Sequence, residues 1–191
     1  MNIDNLLFVP IDIDIPDTPL GKMQVTHSRP SYSPFWEFEK LLVKVNSWKK
    51  DLGPYQEYLK TLTEQLPFQD LHHVRFTRQL DVVKPHVDIW PNSVNADHYN
   101  KYKSTEPCGY RFVLKGKIDS LKIRYKDKIL DANLPKVPCL YIINSTEAVH
   151  FLNQDPERMT LYVRGFVDVE KHKDLLHKSI IKYNDYALYK D

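Results

Sequence analysis

Glu147-Ala148-Val149-His150-Phe151-Leu152-Asn153-Gln154-Asp155-Pro156-Glu157-Arg158-Met159-Thr160-Leu161-Tyr162-Val163-Arg164 is the stretch from which the fold is read. From Arg158 onward it alternates. Met159, Leu161 and Val163 make an apolar row, and Arg158, Thr160, Tyr162 and Arg164 make a polar one, as on a strand whose successive side chains point to opposite faces. His150 sits in a second β-patterned run just before. Gln154-Asp155-Pro156-Glu157 reads as a turn, so the two strands are expected to pair antiparallel. On an open sheet the polar row would face water. In a closed barrel it would look into the interior.

The surrounding chain favours the barrel. Residues 71–169 are β-rich, with candidate strands at 74–83, 110–114, 121–125, 137–144, 149–154 and 158–167. Lys115-Gly116-Lys117 and Lys126-Asp127-Lys128 look like hairpin turns. Residues 91–107 form a long exception, and a loop of that length is more often functional than idle. With Trp90, His98, Tyr99 and Tyr102 it suits a lid over a substrate. Near the N-terminus, Ile11, Ile13 and Ile15 alternate with polar residues, suggesting a short edge strand within 6–15. Phe35, Phe38, Leu41, Leu42 and Val45 fall at helical spacing. Pro54 can open a second helix, with Tyr58, Leu59, Leu62 and Leu66 as its apolar face and Pro67 as its stop. Residues 169–189 are polar, and Leu175, Leu176 and Ile180 suggest a further amphipathic helix on which His172 and His177 are solvated. The expected architecture is mainly β with helical support (α+β). It is a double-stranded β-helix (jelly-roll, cupin-like) barrel packed against N-terminal helices. One domain is expected over 1–191, with 1–70 supplying a strand and supporting helices, 71–169 the barrel and 170–191 a helical tail.

Composition agrees with one ordinary domain. The 191 residues are 42% hydrophobic and 27% charged, enough for a real core. A net charge of +2 is too small to imply a nucleic-acid or membrane-surface partner. The two cysteines, Cys108 and Cys139, cannot make a disulfide framework and read as small core residues. No run of residues approaches a membrane span. Met1-Asn2-Ile3-Asp4 lacks the basic start of a secretory signal, so a cytoplasmic location is expected.

His86-Val87-Asp88 supplies two ligand-grade side chains at i and i+2, which share a face in an extended segment. His150 is the third. Two imidazoles and one carboxylate form the ligand set of a non-haem Fe(II) site that keeps coordination positions open. Taken singly each residue has a plainer reading: a surface histidine beside Pro85, or a satisfied core histidine. His72-His73 would face opposite ways on a strand and suits no metal. His98, in the long loop, could contact substrate. Beyond His150 stand Arg158 and Arg164, whose planar guanidinium can bind a carboxylate through two parallel hydrogen bonds. That is what a dicarboxylate cosubstrate such as 2-oxoglutarate needs. Arg111, inside the apolar strand Tyr110-Arg111-Phe112-Val113-Leu114, must be paired or at a pocket.

These residues resemble a known family. Lys84-Pro85-His86-Val87-Asp88, Gly109-Tyr110-Arg111-Phe112-Val113-Leu114, Asn144-Ser145-Thr146-Glu147-Ala148-Val149-His150-Phe151-Leu152-Asn153 and Arg158-Met159-Thr160-Leu161 are similar to motifs of the Fe(II)/2-oxoglutarate dioxygenases, most like the aspartyl/asparaginyl β-hydroxylase branch. The resemblance implies that His86 and His150 bind iron and that Arg158 binds the distal carboxylate of 2-oxoglutarate. Arg111 would lie near cosubstrate and substrate. Asp88 is a departure, because the animal β-hydroxylases lack the ligand carboxylate that most of the superfamily has. The spacing of Arg158 and Arg164 instead resembles the alkylation-repair dioxygenases, where both arginines face the cosubstrate. The implied activity is hydroxylation of a small molecule or a protein side chain, with release of succinate and CO2. Two other classes stay open on the residues alone. A cupin-like metalloenzyme of another kind would keep the metal without using Arg158. A jelly-roll binding or assembly module would take up no metal.

Overall fold

The structure, a computed structural model, describes residues 3–17, 36–44, 47–48, 54–88, 105–145 and 147–190. Among these residues twelve strands run in chain order: β1 (Leu6–Pro10), β2 (Trp36–Lys44), β3 (Ser47–Trp48), β4 (Phe68–Gln79), β5 (Val83–His86), β6 (Thr105–Lys115), β7 (Leu121–Tyr125), β8 (Lys128–Asp131), β9 (Cys139–Ile143), β10 (Val149–Leu152), β11 (Met159–Asp168) and β12 (Leu188–Tyr189). Among the described residues two α-helices, α1 (Pro54–Glu64) and α2 (Val169–Lys182), accompany them. Neither is long and apolar enough to cross a membrane.

The strands form two antiparallel sheets. The major sheet has the order β12-β1-β9-β6-β11-β4-β2-β3, and the minor sheet β5-β10-β7-β8. From β4 to β11 the chain changes sheet at every step except the β7–β8 hairpin. Side-chain alternation then sorts the major sheet into two faces. Val74, Phe76, Tyr110, Phe112, Leu140, Leu161 and Val163 are buried on one face, in a cluster with Leu59, Leu62 and Leu66 beside α1 and Leu176 and Ile180 of α2. The opposite face looks toward the minor sheet. Phe8, Val113, Cys139, Tyr141 and Ile143 meet Leu121, Ile123 and Leu152 there. The polar row of β11 and its neighbours on β4 lie on this inner face.

Several expectations are corrected. The segment with helical spacing around Phe38, Leu41 and Leu42 is strand β2, which pairs with β4 from Trp36↔Gln79 to Leu42↔Val74. Tertiary pairing outweighs a period of 3.6 that β-forming residues can also satisfy by chance. Helical cover therefore comes from α1 and the C-terminal α2, not from two N-terminal helices. β1 is no edge strand, since β9 and β12 flank it and all five of its residues are buried. The expected strand 74–83 is two strands, with β4 ending at Gln79 and Val83 opening β5.

The expected hairpin between the strands of His150 and Arg158 does not form. β10 pairs with β5 and β7, whereas β11 pairs with β4 and β6 in the other sheet. Lys115-Gly116-Lys117 likewise carries the chain from one sheet to the other. Lys126-Asp127-Lys128 does turn a hairpin, with Lys126 at φ 53. His172 is not solvated: it is buried on α2, and its Nδ1 is 2.7 Å from the Tyr110 hydroxyl. His177 is exposed as expected. The proposed lid residues Trp90, His98, Tyr99 and Tyr102 lie outside the described residues.

Candidate metal and carboxylate site

Register builds the site. His86 on β5 and His150 on β10 are direct cross-strand partners, so their side chains rise from one face of the minor sheet about 5 Å apart. Their ring centroids are 4.3 Å apart. Asp88 follows His86 by two residues, and its backbone N–H donates to the Ser145 carbonyl at 2.8 Å. This bond ties the end of β5 to the β9–β10 connection. Asp88 Oδ1 then lies 3.9 Å from His86 Nε2 and 3.9 Å from His150 Nε2. One ligand atom from each residue falls within 4.8 Å of the others.

Hydrogen bonds fix which nitrogens are available. His86 Nδ1 is 2.8 Å from the Lys84 carbonyl, and His150 Nδ1 is 3.3 Å from the Ala148 carbonyl. A carbonyl oxygen only accepts, so each Nδ1 carries the proton and each Nε2 presents its lone pair. This is the usual outer support of a metal-binding imidazole. Burial, helped by the Arg111 charge, pushes His150 down to about 4. Burial acts to raise the Asp88 carboxyl, but Arg111 and its other neighbours outweigh that and hold it below the ordinary carboxylate range. At neutral pH His150 is therefore a neutral imidazole and Asp88 a carboxylate, the protonation states a divalent cation requires of such ligands. Arg111 Nη2 donates to Asp88 Oδ2, leaving Oδ1 turned toward the imidazoles.

The trio opens into a cavity of ≈ 80 Å³ between the sheets. Arg158 lines it too, at 1% exposure. Its Nη1 donates to Ser120 Oγ at 2.7 Å and its Nη2 to the Tyr141 hydroxyl at 3.3 Å, while Nε has no partner. Among the described residues no carboxylate pairs with it. The backbone around it is held firmly: Arg158 N–H donates to Asp155 O at 2.9 Å, and Gln79 N–H donates to Arg158 O at 3.1 Å. The buried Asp155 carboxylate accepts the Lys117 N–H at 2.7 Å, which joins the two sheet-crossing connections beneath the guanidinium. A buried cation without a counter-charge is costly, and an anion entering the cavity would offset that cost.

Arg164 lies six residues along β11, about 20 Å at a strand's rise, opposite Gly109 and His73. It does not line the cavity. Arg111 does, and so do residues that sequence reasoning missed. Tyr141, Arg111, Tyr162 and Arg75 stand in register across β9, β6, β11 and β4. Arg111 and Arg75 place their guanidinium carbons 4.8 Å and 5.3 Å from the Tyr162 ring centre, within cation–π range. Arg75 had a visible signal: Val74-Arg75-Phe76-Thr77 alternates as the Arg158 strand does. Ser120 had none, because its role depends on which sheet crossing lies over Arg158.

No family model matches the chain, and no curated protein matches it. Among solved structures, an oxidoreductase of the 2OG-Fe(II) oxygenase family from Burkholderia pseudomallei is 10% identical over 70% of this chain and 68% of its own, with a TM-score of 0.42. A prolyl-4-hydroxylase from Pseudomonas putida is 13% identical over 73% of this chain and 76% of its own, with a TM-score of 0.41. Overlaps this loose assign neither activity nor substrate.

Proposed function

We propose that this chain is an Fe(II)- and 2-oxoglutarate-dependent oxygenase. The observation that carries the reading is one cavity holding both a His86/Asp88/His150 trio and a buried Arg158 that no carboxylate among the described residues pairs with. The donor set suits iron(II) with positions left open, and the unpartnered Nε of Arg158 suits a carboxylate. The order of β4 to β11, alternating between two four-stranded halves, supports a double-stranded β-helix. The motif likeness favours the aspartyl/asparaginyl β-hydroxylase branch, with Asp88 a departure from its animal members. A cupin-like metalloenzyme of another chemistry would leave Arg158 without an anion.

His86, Asp88 and His150 would hold the metal. Arg158, steadied by Ser120 and Tyr141, would take the distal carboxylate of 2-oxoglutarate. When bound, the iron and 2-oxoglutarate supply the oxidation: O2 is consumed, succinate and CO2 leave, and one oxygen enters a substrate C–H bond. The protein's part is orientation and exclusion. Arg111 keeps Asp88 ionised and turns Oδ1 inward. The Lys84 and Ala148 carbonyls hold the imidazole tautomers. Leu121, Leu152 and Val83 keep the cavity wall apolar. The test is a thermal-shift titration with Mn(II) and the inert analogue N-oxalylglycine. Stabilisation by N-oxalylglycine should need the metal, vanish in His150→Ala, and weaken about 10- to 100-fold in Arg158→Gln, the loss of a charge-assisted pair. Stabilisation that ignores both variants would end this assignment, as would failure of Fe(II) and 2-oxoglutarate to yield succinate.

A further inference from the structure

The β9–β10 connection serves two of the three candidate metal ligands. Its Ser145 carbonyl accepts the Asp88 N–H at 2.8 Å, and the Ser145 side chain hydrogen-bonds the Asp88 carboxylate. Its Ala148 carbonyl lies 3.3 Å from His150 Nδ1. A shift of this connection would therefore move a carboxylate and release an imidazole at once. The connection is a tight turn, with the Glu147 and Ala148 N–H groups donating to Asn144 O at 3.4 Å and 2.9 Å. Such bonds fix the shape of a turn but not its place. Its place is set from outside. On one side the Asn144 N–H donates to Leu7 O of β1 at 2.9 Å. On the other, Lys190 Nζ pairs with Glu147 Oε2, which also accepts from Asn144 Nδ2 at 3.1 Å. Lys190 follows β12 and is itself anchored: its N–H donates to Asn5 O at 2.7 Å, and β12 pairs with β1 at Leu6↔Tyr189 and Phe8↔Leu188. Its side chain is 19% exposed, so most of it lies against the protein.

We propose that Lys190 is a positioning residue for the metal site. It holds Glu147, Glu147 holds the turn, and the turn sets Asp88 and His150. This rests on the reading of the trio as a metal site, not on the reaction carried out there. An ion pair of purely structural use would add a little stability and leave the ligands where they are. A positioning pair does something else. Without it the turn visits displaced positions, and apparent metal affinity falls in proportion to the time spent away from the competent one.

The test measures Mn(II) affinity of the full chain by calorimetry at low salt. Lys190→Met should weaken it about two- to fivefold. Lys190→Arg should recover most of the loss, and so should the charge swap that combines Lys190→Glu with Glu147→Lys. Lys182→Met is the control: it breaks another surface pair, Lys182 with Asp12, and should leave Mn(II) affinity unchanged. Wild-type affinity in Lys190→Met would overturn the proposal, as would a loss that neither Lys190→Arg nor the charge swap recovers. Should the wild-type chain take up no Mn(II), the metal reading falls by itself. Hydrogen exchange of the metal-free protein then decides the positioning separately. Lys190→Met should speed exchange of the Asp88 N–H about two- to fivefold, and Lys182→Met should not. Equal Asp88 exchange rates in the two variants would refute the role given to Lys190.

Discussion

At the scale of single residues, charge state governs this molecule. Asp88 can serve a metal only if Arg111 holds its other oxygen, so Arg111→Met should lower Mn(II) affinity about 10- to 100-fold while His86 and His150 stay in place. Isothermal titration calorimetry at neutral pH measures this, and unchanged affinity would refute the positioning role. His172 offers a second measurement. Burial pushes it down to about 4 from an ordinary value near 6.5. Between those values the unfolded chain binds more protons than the folded one, so stability is complete above pH 6.5 and falls as pH drops toward 4. The shift corresponds to about 3 kcal/mol at most. His150 shifts in the same direction, so His172→Gln should remove about half of the pH dependence seen in urea melts of the metal-free protein between pH 7 and 4.5. Cys139 shows burial acting oppositely on a thiol, which is pushed up to about 12. It should resist alkylating reagents until the protein unfolds.

At the scale of elements, the sheet crossings matter more than the strands. Gly116 has φ +130, and a Cβ there would lie 2.6 Å from Asp155 Oδ2 and 3.1 Å from Arg158 Cα. Gly116→Ala should therefore cost about 1–3 kcal/mol and weaken N-oxalylglycine binding as well, since the same contact sets Arg158. Loss of stability with full analogue affinity would show that the two crossings are independent. These connections also mark where sequence reading stopped. The alternation of Met159 to Arg164 named the right faces, and His86, Asp88 and His150 were legible from ligand type and spacing. The turn at 154–157 was legible as a turn, yet a turn within a sheet and a crossing between sheets use the same residues. Which strand lies beside Arg158 was thus hidden, and Ser120 and Tyr141 with it. The β2 segment escapes a sequence reading because five apolar residues in a short window fit a helix, while the neighbour that makes it a strand, β4, pairs with it across a long separation, from Leu42↔Val74 to Trp36↔Gln79.

At the scale of the whole molecule, the two sheets enclose the candidate site together: His86, Asp88 and His150 come from β5, its C-terminal end and β10 of the minor sheet, Arg111 from β6 of the major sheet, and Arg158 from the position just before β11 of that sheet. Metal and analogue together should bind only when both sheets are formed, and at a hundred times the dissociation constant they should add about 2.7 kcal/mol of stability. A melt in which the two sheets unfold in separate steps, with only one responding to ligand, would contradict this. The same alternation between sheets has a kinetic consequence. Apart from β2–β3 and β7–β8, no strand among the described residues is hydrogen-bonded to the next described one, so long loops must close before most of these pairings can form. Refolding from denaturant should accordingly take milliseconds to seconds, as for other chains dominated by distant pairings, and nascent protein would spend that interval with unsatisfied sheet edges open to its neighbours.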